Sequence, residues 1–205
     1  MATSGVASSS ASSGRMRRAG LALFAVGVLC AGGEAWAQNP GDVVITEVMI
    51  APPSTSSTRE WFELYGHANV DLQGCTLREG PSADPFDGAT AWHDHLIDTP
   101  LSVGNGQHVL LAKSHDCVVG DGAGGCSVPA DHNYGTLSFN NDTLEWLYIL
   151  CDNTVIDAAP YDWREFEDGC PDKGCSVNLG DGFYDADGND DLTHWCLPPP
   201  DATFL

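Results

Sequence analysis

Asp185, Asp187, Asn189 and Asp191 stand at alternate positions of one acidic, glycine-containing run, Asp181 to Asp191. Calcium takes about six to eight oxygen ligands, and side-chain oxygens spaced two apart along a turning loop are a way to supply them. With Asp181, these residues form a candidate calcium site, and the competing reading is a solvated acidic loop. The run is not an EF-hand, because its glycine falls fourth from Asp185 rather than sixth and no glutamate closes it. His93 and His95 offer a second chemistry: on a strand they share a face and could ligate one transition metal, with Asp98 or a distant histidine completing the shell. That would suit a small secreted metal-dependent hydrolase. The bland alternative is a polar loop ahead of a strand at Leu96 and Ile97. His108, His115, His132 and His194 are scattered singly, so the sequence supplies no second ligand set.

Other constellations carry less. Glu60 and Glu63 are three apart on an alternating segment and so point to opposite faces, which argues against a paired-carboxylate glycosidase. No G-x-S-x-G elbow and no phosphate-binding P-loop occurs. The glycine-rich run 120–125 lies between Cys117 and Cys126 and precedes no helix. Glu47, Glu60 and Glu63 fall among apolar residues, where a carboxylate must be paired, hydrogen-bonded or face solvent, and Arg59 and Arg78 are the few cations at hand.

The compartment follows from the N-terminus. Arg15, Arg17 and Arg18 precede an apolar run from Ala19 to Leu29 that is too short to span a bilayer, and Ala35-Trp36-Ala37 reads as a cleavage site. Residues 1–37 are therefore expected to be an export signal, with Met1 or Met16 as the start. Residues 38–197 then form the domain and 198–205 a short proline-rich tail. An exported chain keeps disulfides. Of the 8 cysteines, Cys30 leaves with the signal. Cys117 with Cys126 and Cys170 with Cys175 are expected as short-loop pairs, and Cys75 with Cys151 as a core-spanning bridge. An odd cysteine is left free, paired between chains, or matched outside this chain. No C-x-x-C occurs, which argues against zinc at these thiols.

Charge excludes a further class. The chain carries 8 Lys and Arg against 29 Asp and Glu, a formal net charge of −21. Loss of residues 1–37 removes three arginines and one glutamate and takes that figure to −23. Phosphate backbones are bound by neutralising them with basic side chains, so nucleic acid is not an expected partner. An unknown protein or envelope component is.

These residues are carried by an alternating, strand-rich chain. Residues 43–50 are β-branched and stop at Pro52-Pro53. Residues 60–65 alternate, setting Phe62 and Leu64 on one face and Trp61 and Tyr65 on the other. Strands are also expected over 70–77, 107–112 and 143–150, the last returning through Asp152-Asn153 into 154–157. A short helical turn at 163–168 is the sole helical signal. Connections at 80–94, 114–135 and 164–192 are long, and such loops are the first place to look for recognition. Many short strands with Gly/Pro-rich turns predict an all-β sandwich with long acidic, disulfide-bearing loops.

The order of motifs resembles the lamin-tail domain of secreted bacterial proteins. The residues that carry the likeness are Ile45-Thr46-Glu47-Val48-Met49, Glu60 to Tyr65 and Val70 to Leu77. Leu101 to Leu111, Asn140 to Ile149, Val155 to Tyr161 and Trp195-Cys196 follow in the expected order. The likeness covers about residues 42 to 197. Gly66 and His67 replace the family's usual asparagine, and Cys75 its usual tryptophan, which favours Cys75 as a buried disulfide partner. The resemblance implies an immunoglobulin-like sandwich acting as a non-enzymatic binding or tethering module, with no catalytic residues to carry over. Relatives in nucleated cells are associated with chromatin, which the acidity here opposes. A further alternative is a fragment of a larger surface protein whose activity lies elsewhere.

Overall fold

A β-branched, almost wholly buried run in β1 (Val43–Met49) and alternation along β2 (Trp61–Gly66) decide the architecture. In the computed structural model the two pair antiparallel, Val48 opposite Phe62 and Ile45 opposite Leu64, and all four side chains are fully buried. The structure describes residues 38–49, 60–88, 92–113, 119–120, 126–140, 142–169 and 175–198, within the unit Ala35–Leu205. The expected export signal, Arg59, Cys117, Cys170 and residues 199–205 of the tail lie outside the described residues.

The remaining strands, in chain order, are β3 (Val70–Asp71), β4 (Thr76–Gly80), β5 (His93–Leu96), β6 (Ser102–Val103), β7 (His108–Ala112), β8 (Val119–Gly120), β9 (Cys126–Val128), β10 (His132–Asn133), β11 (Glu145–Cys151), β12 (Thr154–Tyr161), β13 (Val177–Leu179) and β14 (Trp195–Cys196). They form a six-stranded sheet in the order β10-β7-β2-β1-β13-β14 and a four-stranded sheet in the order β12-β11-β4-β5, with two small pairs, β3-β6 and β8-β9. The fold is an all-β sandwich, and only short 3-10 turns break the strands among the described residues. No helix among them is long and apolar enough to cross a membrane.

Phe62, Leu64, Leu111, Leu77, Leu147, Ile149 and Tyr161 belong to one buried core between the sheets. On the other face of β2, Trp61 packs with Met49 and Ala112 in a smaller cluster. The split between the two faces of β2 is the one its alternation predicts. The β11-β12 hairpin turns at Asp152 and Asn153, with φ of 51° and 61°. Asx residues tolerate this left-handed region better than other non-glycine types, and two in succession make a tight hairpin turn.

Cys75 and Cys151 are bonded, with their Cα atoms 4.3 Å apart. The pairing is the one the sequence predicts, but the bridge joins neighbouring strands of one sheet instead of spanning the core. Thr76 pairs with Leu150, so the adjacent cysteines face each other across neighbouring strands of one sheet, buried against the core. Cys175 is also disulfide-bonded. The pairings expected for it and for Cys117 with Cys126 involve residues outside the described set. Cys196 is a free, exposed thiol.

Gly66 has a steric reason to be glycine. A Cβ there would lie 2.3 Å from the carbonyl oxygen of Gly104. Only glycine allows the 103–104 backbone so close to the end of β2.

Candidate functional site

The acidic run is a folded plug rather than an open loop. Asn189 is fully buried, and its Nδ2 donates to Ile45 O at 3.2 Å and to Asp157 Oδ2 at 2.7 Å. The same carboxyl oxygen accepts the Ile45 N–H at 2.7 Å. Beside this point β1 shifts register between Ile45 and Glu47 while Gly41 N–H reaches across to Ile156 O, so strand bonding is interrupted. Two side chains from distant parts of the chain thus satisfy the backbone of Ile45, as buried polar groups require. Complete burial pushes the Asp157 carboxyl well above the usual carboxylate range.

Neighbouring members of the run have local tasks. Asp185 accepts the Gly188 N–H at 2.7 Å, and Asp191 caps the 3-10 turn 192–194 by accepting from Thr193 N and Oγ1 at 2.9 and 2.8 Å. Trp195 Nε1 donates to Asn189 O at 2.9 Å and anchors the plug to β14. Asp181 and Asp187 are exposed. The side chains of Asp181, Asp185, Asp187, Asn189 and Asp191 are therefore spread over core, cap and surface. Among the described residues, no three His, Cys, Asp or Glu side chains meet at a point that could hold a metal ion.

The two histidines of the H-x-H motif go to different partners. Both sit on β5, the edge of the four-stranded sheet. His93 Nδ1 meets Glu79 Oε2 at 2.8 Å, and Tyr161 donates its hydroxyl to Glu79 Oε1 at 3.0 Å. His95 instead reaches the other sheet, where its Nε2 lies 2.9 Å from Nε2 of His132 on β10. Burial, and for His95 the neighbouring imidazole, lower both basicities, while Asp98 opposes the shift. His132, 37 residues from His95, gives no sequence signal of its own.

The glutamates are used for structure. Glu60 is buried at the start of β2, where Lys113 Nζ meets its Oε2 at 3.0 Å and Phe139 N–H donates to the same oxygen at 3.2 Å. Burial raises the carboxyl pKa of Glu60 and of Glu79. Glu47 and Glu63 lie opposite each other on the outer face of the six-stranded sheet. Ser176 donates its hydroxyl to Glu47, whereas Glu63 takes Thr46 Oγ1 at 2.7 Å and His108 Nδ1 at 2.7 Å. Burial, reinforced by Glu63, pushes Glu47 up to about 7. Arg78 serves none of them. It makes a two-pronged pair with Asp94, at 2.7 Å for each bond, and lies 5.6 Å from the centre of the Trp92 ring. The cation that the sequence assigns to a core glutamate is thus spent on the outer face, because Arg78 and Asp94 pair across β4 and β5.

Compared with known families and proteins, the chain matches no family model and no curated protein.

Proposed function

We propose that this chain is an exported, non-enzymatic β-sandwich of the lamin-tail kind that binds or tethers a partner at the cell surface or in the envelope. The observation that carries the reading is the use made of its chemistry-bearing residues. Glu60, Glu79, Asp157 and Asn189, the buried polar groups best suited to perturbed reactivity, are held by partners inside the sandwich. His93 and His95 turn to separate partners, which disfavours a hydrolase built on His93, His95 and Asp98. A buried disulfide between neighbouring strands supports an oxidising compartment. The net charge of −21 favours a basic partner over nucleic acid.

The test is capture of native envelope material on the immobilised chain, beside a variant with Asp185, Asp187 and Asp190 changed to Asn. The reading expects a defined, salt-sensitive partner retained by the parent and lost by the variant. Turnover of an ester, phosphoester or glycoside substrate that His95→Gln abolishes would overturn it.

A further inference from the structure

Each described histidine outside β5 and β10 meets a carboxylate or a carbonyl: His67 the Tyr184 carbonyl, His108 the Glu63 carboxylate and His194 the Gly188 carbonyl. His95 and His132 alone among the described residues meet each other, Nε2 to Nε2 at 2.9 Å. They come from the two edges that face across one side of the sandwich, β5 of the four-stranded sheet and β10 of the six-stranded sheet. Both mounts are paired into their sheets. β5 is paired to β4 and β10 to β7, and Thr136 Oγ1 donates to Asp94 O at 3.1 Å, tying the segment after β10 to β5.

We propose that His95 and His132 form a two-imidazole site for a divalent transition-metal ion of the copper(II) or nickel(II) class, clasping the β5 edge to the β10 edge. Metal–imidazole bonds are about 2.0–2.1 Å long, so nitrogens 2.9 Å apart would subtend about 90° at a shared ion once the rings swing toward it from their present end-to-end alignment, with centroids 5.1 Å apart. That is the cis angle of a tetragonal copper or nickel site, narrower than the tetrahedral angle preferred by zinc. Both rings are half-buried, leaving the remaining ligand positions to water. Asp98 acts electrostatically on both rings and adds a negative field. Without metal, one Nε2–H donates to the other ring. On binding, that ring carries its proton on Nδ1 instead, so no proton is lost. This site is independent of the binding-module reading.

The test uses the full chain without a purification tag, titrated with Ni²⁺ or Cu²⁺ at neutral pH. Binding of one ion per chain is expected, weakened about tenfold or more in His95→Gln and in His132→Gln but not in His67→Gln. The Cu²⁺ complex of the parent should show two coordinated nitrogens by electron paramagnetic resonance, a reading that needs no variant to fold. Equal binding by parent and both variants, or a copper spectrum with fewer than two nitrogens, overturns the proposal.

Discussion

At the residue scale, the most constrained position is the Ile45 backbone, served on one side by Asp157 and on the other by Asn189. Asn189→Ala removes a donor from two buried acceptors. It should cost about 1–3 kcal/mol by urea unfolding, the usual penalty for an unsatisfied buried group. Asp157→Asn keeps an acceptor for the Ile45 N–H and removes a carboxyl that burial already disfavours as an anion. It should therefore cost less than Asn189→Ala, and the same unfolding curves check both. The sequence could not show this pairing. The two residues are 32 apart, and an asparagine in an Asp-rich run looks like one more oxygen ligand until burial turns its Nδ2 to use. His132 was silent for the same reason: one histidine gains meaning only from what packs against it.

At the element scale, the long strands are legible because alternation separates two faces in β2 and an apolar run ending in an Asp-Asn turn marks β11. The short ones are not. β10, β13 and β14 hold two or three residues each, too few for a period, and they lie within or beyond segments read as connections. Two predictions belong here. The Cys75–Cys151 bridge closes a span of 76 residues, so replacing both cysteines with Ala should cost about 2–4 kcal/mol, measured against the oxidised parent in urea. The carboxylates of the 181–191 run are divided between a cap, a turn and open surface. Millimolar Ca²⁺ should leave the thermal midpoint where a chelator leaves it, and a rise with Ca²⁺ would support the calcium reading of the run instead.

At the scale of the whole molecule, acidity and burial act together. Glu47 is pushed up to about 7 by burial and by Glu63, and Asp190 to about 6 by burial and Asp187. Each binds its proton more tightly folded than unfolded. Their stabilisation is fully present below the ordinary carboxylate range and is lost as pH rises through about 6 and about 7. Thermal melts should accordingly give a higher midpoint near pH 5 than near pH 8, and Glu47→Gln should flatten the slope. The net charge of −21 works in the same direction, because self-repulsion grows as the last carboxyls ionise.

On the proposed reading, the sandwich works outside the reducing cytoplasm as a disulfide-stapled module. Mass spectrometry of the protein recovered from its native cells, with thiols alkylated at lysis, tests it most directly. The chain is expected in the extracytoplasmic fraction, beginning at Gln38, with Cys75 and Cys151 crosslinked. A cytoplasmic chain that retains residues 1–37 and carries alkylated Cys75 and Cys151 would contradict it.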